Sequence, residues 1–240
     1  MAAQIHPPML TDAISNPLYH AYEKFWHACR ISHVDLNNVL NTWLVMIILI
    51  AAALLVRRRL QMVPQGQQNF WEVAVRTLED LLVQTIGEKG RPYFPLVASL
   101  AIFILTCNLI GILPYLQSAT NNLNTTLSLA VCSVIITHYV GIKHHGVKYV
   151  KHFCGPVPWL IPLMLPIEIL SHVSRLLSLS IRLFGNIFGE DMAVIILTLL
   201  LPYLIPLPMM VLQVFTSFIQ TLVFIMLTMM YIQGALEEAH

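Results

Sequence analysis

Apolar residues fall along this chain in long blocks divided by short polar or proline-rich breaks. Residues 43–56 (WLVMIILIAAALLV) are uninterrupted, and extended back to Val39 they predict a membrane span over 39–56. It stops at Arg57-Arg58-Arg59, a cationic triple that belongs at the cytoplasmic surface. Residues 96–116 carry no charge and predict a second span, with Asn108 as its buried polar residue. After the short polar turn LQSATNNLN, residues 123–142 predict a third, richer in Thr and Ser. Two further blocks, 160–201 and 209–235, bring the spans to five, and LPYLIPLP, with Pro202, Pro206 and Pro208, is the turn between them.

Residues 67–86 differ in kind. Glu72, Arg76, Glu79 and Asp80 share one helical face, and Trp71, Val75, Leu78, Leu82 and Ile86 cover the other. That pattern predicts an amphipathic helix lying in the interface, closed by Glu88, Lys89, Arg91 and Pro92. Residues 1–38 are mixed and polar and read as an outside segment ahead of a membrane domain over 39–240.

The fourth block is unusual in length. Pro158, Pro162 and Pro166 break up its entry, but 35 residues from Ile167 to Leu201 contain no proline. Such a helix measures about 52 Å at about 1.5 Å per residue, against ~30 Å of hydrocarbon. A single crossing then requires a tilt of about 55°, far beyond the usual ~20°. The helix is expected either to tilt steeply against a partner, or to protrude or bend near Gly185 and Gly189.

Composition narrows the class. Of 240 residues, 57% are hydrophobic and 10% charged, and the mean hydropathy is +0.73. A soluble enzyme core, a disordered chain and a nucleic-acid binder are excluded as the main reading. The net charge of +1 implies no polyanion partner. Cys29, Cys107, Cys132 and Cys154 form no CxxC pair. MAAQIHPPML has neither the cationic nor the apolar region of a signal peptide, so the first span is expected to drive insertion. With the amphipathic helix flat, nine cations (Arg57, Arg58, Arg59, Arg76, Lys89, Arg91, Lys143, Lys148 and Lys151) share one side, against Lys24 and Arg30 on the other. The N-terminus is therefore expected outside and the C-terminus in the cytoplasm.

Five charges lie inside the fourth block: Glu168, Arg175, Arg182, Glu190 and Asp191. Each costs ~2.5–3.5 kcal/mol at mid-bilayer, and intramembrane ionisable groups usually serve transport. Glu168, His172, Arg175, Leu179, Arg182, Asn186 and Glu190 follow steps of three and four residues and share one helical face. Asp191 is turned about half a turn from Arg182 and points elsewhere. The last span offers a matching row of Gln213, Thr216 or Ser217, and Gln220. Polar residues also simply bind membrane helices together, a reading that stands beside the functional one for Gln213, Ser217 and Asn108. Arg175 equally suits a snorkelling anchor, and Glu168 with His172 an interfacial role. His138, His144, His145 and His152 lack metal spacing and read as surface residues of a basic loop, KHHGVKYVKHFCGP, with His138 near the end of its span. His27, Cys29 and His33 form no stronger ligand set.

The run SRLLSLSIRLFGNIFGEDM, residues 174–192, resembles subunit a of F-type ATP synthases, with Arg182-Leu183-Phe184-Gly185-Asn186 as the core of the match. Supporting matches are Asn108 and Pro114 in TCNLIGILPY, and Gln220 and Tyr231 in FTSFIQTLVFIMLTMMYI. The resemblance covers residues 40–240. It implies an all-α polytopic protein whose last two spans form a steeply tilted hairpin curved around a ring of small c subunits. It implies that Arg182 faces the ring carboxylates, that Glu190, Asp191 and Asn186 line the path from outside, and that Glu168, Ser171 and His172 line the path to the cytoplasm. Gln213 stands where some members have His, so a histidine-dependent outer relay is not expected. Gln220 resembles the polar residue packed near the arginine, with Asn108 and Arg175 in support.

The implied function is proton conduction through two offset half-channels in a bacterial inner membrane. The partners are the c-ring, peripheral-stalk b subunits, lipid and H+, with no nucleic acid, cofactor or metal. The chain alone is expected to catalyse nothing, and GxxxxGK[ST] is absent. The rival class is a self-contained ion channel or secondary transporter, which often carries inverted repeats. No repeat relates the two halves of this chain.

Overall fold

The computed structural model describes residues 36–58, 67–113, 116–146, 161–200 and 206–237. Six α-helices account for nearly all of them: α1 (Leu36–Arg58), α2 (Gln67–Ile86), α3 (Phe94–Ile110), α4 (Leu123–His145), α5 (Ile161–Leu200) and α6 (Pro206–Glu237). Two 3-10 turns, Glu88–Tyr93 and Ala119–Asn121, lead into α3 and α4. The predicted spans correspond to α1, α3, α4, α5 and α6, and the amphipathic segment is α2 over the bounds read from its pattern. Among the described residues, four stretches are long and apolar enough to cross a membrane by length and composition, Asn38–Arg57, Glu88–Ile110, Leu123–His145 and Pro206–Leu236, and the charged α5 is not one of them. The protein is an all-α, polytopic membrane protein.

Several boundaries move for local reasons. The second span stops at Ile110, short of the expected 116, because the chain turns back on itself at Gly111. A Cβ on Gly111 would lie 2.6 Å from the Ser118 Cβ, so this close return requires glycine. The polar stretch that follows is a hydrogen-bonded plug. Ser118 Oγ donates to the Cys107 carbonyl at 2.9 Å, and Thr120 Oγ1 donates to Asn108 Oδ1 at 2.7 Å. Asn41 Nδ2 of α1 donates to the Gln117 carbonyl at 3.0 Å, tying the first helix to this plug.

Helix α4 runs past 142 to His145, so Lys143, His144 and His145 belong to its last turn and not to a loop. The Lys143 cation suits a helix C-terminus, and His145 Nε2 lies 3.2 Å from the Leu236 carbonyl of α6. Helix α5 begins at Ile161 and takes in both Pro162 and Pro166. Pro162 lies in the first turn, where N–H groups have no helical partner, and only Pro166 removes an internal bond. Pro206 and Pro208 likewise open α6 and do not form the turn before it.

Helix α5 has 40 residues, about 60 Å at about 1.5 Å per residue. It is helical without a break at Gly185 or Gly189. It packs against α4 and α6, and the shared core is Ile104, Ala130, Leu179, Leu183 and Phe224. Helix α2 buries Leu82 with Val97, Ala101, Val140, Ile225, Met229 and Ile232, leaving Trp71 and Val75 exposed. Between helices in an apolar medium, hydrogen bonds supplement packing, at about 0.6 kcal/mol each. Ser133 Oγ donates to Thr228 Oγ1 at 2.9 Å, joining α4 to α6, and Thr126 and Ser180 meet at 3.1 Å, joining α4 to α5.

Candidate functional site

The polar row of α5 follows from its spacing, and its surroundings divide it into three parts. The ridge of Leu179, Leu183 and Ile187 is buried and fixes which way the helix faces. Arg182 lies beside that ridge and is exposed, as is Asn186 one turn on, whereas Glu190 turns inward and is only 8% exposed. The row that shares one helical face therefore has half-buried residues at its start, exposed ones at Arg182 and Asn186, and a buried one at Glu190. Residues spaced by three and four drift around the helix axis, and packing of the ridge decides which of them emerge.

The middle part is Arg182. Among the described residues its guanidinium makes no ion pair with a carboxylate. Gly185 and Gly189 follow it on exposed positions, and a Cβ added at either would meet nothing within 4 Å. The surface beside the arginine is thus low. Asn186 Nδ2 donates to Gln220 Oε1 at 2.7 Å, which joins α5 to α6 one turn from Arg182. Gln220 itself is buried.

The part toward the α5 C-terminus holds the acidic pair. Asp191 Oδ2 accepts from Asn121 Nδ2 at 2.7 Å, and Oδ1 accepts from Gln213 Nε2 at 2.9 Å. Two amides, one from the plug before α4 and one from α6, thus grip this carboxyl. Glu190 neighbours Thr216 of α6, and its Oε2 is buried without a hydrogen-bond partner among the described residues. Asp191 does point away from Arg182 as its position on the helix requires, and what it points at is Asn121. Ser217 is buried, and its hydroxyl donates to the Gln213 carbonyl of its own helix at 2.7 Å.

The part toward the α5 N-terminus holds Glu168, Ser171, His172 and Arg175. His172 Nε2 lies 3.4 Å from Glu168 Oε1. The Arg175 guanidinium stands 5.5 Å above the centre of the Tyr231 ring, a cation–π contact with α6. Ser171 is half-buried beside them. His138 was expected at the surface of a basic loop, but it is a half-buried residue of α4 whose ring centre lies 4.7 Å from that of His172. His152 lies outside the described residues, as do His27, Cys29 and His33. Asn108 belongs to the plug, where its side-chain carbonyl is occupied by Thr120.

Two residues of these clusters were not singled out by pattern. Asn121 sits in a run of polar residues that reads as a turn, and His138 sits near the end of an apolar block. An imidazole inside a span was the available signal for the second. Nothing local to TNNLN distinguishes Asn121 from its neighbours.

Fold and site together define a polytopic helical membrane protein with a row of charge along a helical hairpin. Residues 39–233 match the family profile of the ATP synthase A chain. The chain is 50% identical over 219 residues to ATP synthase subunit a 1 of Pelobacter propionicus, covering 91% of this chain and 96% of that one. It is 47% identical over 236 residues to ATP synthase subunit a of Trichlorobacter lovleyi, covering 98% and 100%. With ATP synthase subunit a of Syntrophobacter fumaroxidans the identity is 53% over 204 residues, 85% of each chain. The chain belongs to the ATP synthase subunit a family. It is accordingly a non-catalytic, proton-channel component of the membrane sector of an F-type ATP synthase.

Proposed function

We propose that this chain is the stator half of a rotary proton path, with two offset half-channels that load and unload carboxylates on a ring of small c subunits. The observation that carries the reading is Arg182, an exposed intramembrane cation with no carboxylate partner among the described residues. A charge in that setting calls for a counter-charge from another chain. Glu168 lies 14 residues before it and Glu190 eight after it, about 21 Å and about 12 Å along the helix. Acids at both ends, separated by a fixed cation, form two dead-end paths and not one pore.

A proton enters past Glu190 and Asp191, with Asn186 and Gln213 beside them, and protonates a ring carboxylate. It leaves the ring on the other side of Arg182, past Ser171 and His172 to Glu168. A guanidinium keeps its proton in proteins, so Arg182 does not become a carrier. At ~4 Å and an effective dielectric of ~20 it attracts a carboxylate by about 4 kcal/mol. That strips a proton from an arriving ring site, and ~100 mV, supplying ~2.3 kcal/mol per charge, helps release the carboxylate again. The same charge repels hydronium and blocks a direct leak. Gln220 steadies Asn186 one turn away, and Arg175 is held on Tyr231. No cofactor or metal takes part.

On this reading α5 is the fourth span, steeply inclined with α6 against the ring, and α2 lies in the interface. The residue 1–38 segment is outside, and the C-terminus is in the cytoplasm of a bacterial cell, with peripheral-stalk b subunits holding the chain against the ring. A self-contained channel or transporter is the rival, but all the intramembrane Lys, Arg, Asp and Glu of the last two helices lie on α5, and among the described residues no acidic face opposes Arg182. Detergent extraction tests the choice. Co-purification with a ring of small hairpin subunits is expected, whereas a chain that transports ions alone in liposomes would sink the proposal.

A further inference from the structure

Three titratable side chains from two helices meet where α4 packs on α5. His172 of α5 approaches Glu168 at 3.4 Å through Nε2. Its ring lies 4.7 Å from that of His138 on α4, tilted by 58°. The Glu168 and His172 side chains are 33% and 18% exposed, and His138 is half-buried. His138 Nδ1 lies 2.8 Å from the Val134 carbonyl. A carbonyl only accepts, so Nδ1 holds the hydrogen and Nε2 is the nitrogen that takes up a further proton. An apolar side chain would fill this seam without the cost of an ionisable group at membrane depth.

We propose that His138, His172 and Glu168 form one proton relay at the inner end of the polar row, with His138 as the member that α4 contributes. The inference rests on the half-channel reading above. Imidazoles take up and release protons near neutral pH, as a relay requires. A proton leaving the ring carboxyl is taken by the imidazole pair, which repels a second one. His172 then releases it from Nε2 to the Glu168 carboxylate, leaving a neutral imidazole and a carboxylic acid. Glu168 sheds it to cytoplasmic water. Each step moves one proton and no electrons.

The neighbouring charged and titratable groups fit this order. On α5 these are Glu168, His172 and Arg175, with Arg175 one turn beyond His172 and resting on Tyr231 of α6. On α4 they are Lys143, His144 and His145 in the last turn. The fixed charge of Arg175 further discourages a second proton on the pair.

The test uses inverted membrane vesicles containing the whole ATP synthase, with rates normalised to the amount of assembled complex. His138→Phe keeps the ring volume, and His138→Gln keeps hydrogen-bonding capacity; neither carries a proton. Both should slow ATP-driven pumping and proton-driven synthesis several-fold, and alter the dependence on cytoplasmic-side pH. His138→Phe combined with His172→Phe should be no slower than His172→Phe alone, because both lie on one path. Parental rates and pH profile in His138→Phe would show a packing role and overturn the inference, as would fully additive losses in the double variant. If Glu168→Gln itself runs at the parental rate, the half-channel reading falls and the relay with it. If Glu168→Gln is slow while His138→Phe is not, only the relay falls.

Discussion

Asn121 and Asp191, 70 residues apart in the chain, meet through a 2.7 Å hydrogen bond from Nδ2 to Oδ2. This contact fastens the connection between α3 and α4 to the long helix α5 at its acidic pair. With Gln213 on the other oxygen, it spans three elements. Bonds of this charge-assisted type contribute about 1.5–3 kcal/mol. Asn121→Ala should therefore lower the thermal midpoint at which the extracted complex loses this subunit, and Asn121→Asp should lower it further by setting two carboxylates together. A melting curve unchanged in Asn121→Asp would show that the contact carries no energy.

The grip on Asp191 makes the two acids unequal. Asp191 has both oxygens engaged, whereas Glu190 keeps Oε2 buried without a hydrogen-bond partner among the described residues. Positioned proton carriers contribute about 100-fold or more. Glu190→Gln should cost synthesis about that factor. Asp191→Asn should cost only a few-fold, because the Asn121 and Gln213 amides can reorient to pair with the new side chain. The double variant should block synthesis while ATP hydrolysis by the detached catalytic sector persists. ATP synthesis under an imposed proton gradient decides it: a null Asp191→Asn with a silent Glu190→Gln would make Asp191 the carrier.

Arg182→Ala should abolish ATP synthesis with the complex still assembled, and should raise passive proton leak through vesicles. Arg182→Lys should substitute poorly, because an ammonium desolvates and shifts its protonation readily and lacks the planar fork. Near-normal synthesis in Arg182→Ala would refute the gate.

The proposed topology rests on the nine-to-two cation asymmetry. A cysteine in place of Asn124, which is exposed at the start of α4, should react with an impermeant thiol reagent from outside the cell. One in place of Lys143, exposed at the other end of that helix, should react only from inside. Labelling of both from a single side would overturn the orientation.

The helices themselves were legible in the residues. The block at 43–56, the charge-free 96–110 and the amphipathic 67–86 each announce their state within a single segment, because hydrophobicity and helical period are properties of one helix facing one solvent. The spacing from Glu168 to Glu190 likewise marked out a polar row before any partner was known. Where local chemistry decides, as at Gly111 or the prolines opening α5 and α6, the expected ends shifted by a few residues because caps and first turns tolerate what helix interiors do not. Tertiary packing alone decided which residues of the row emerge and which turn inward. The burial of Leu179, Leu183 and Ile187 against neighbouring helices sets Arg182 outside and Glu190 inside. Packing alone also brought His138 to His172 and Asn121 to Asp191. A side chain's position around its own helix can be counted along the sequence. The residue it meets depends on how several helices share one core, and no single segment contains that information.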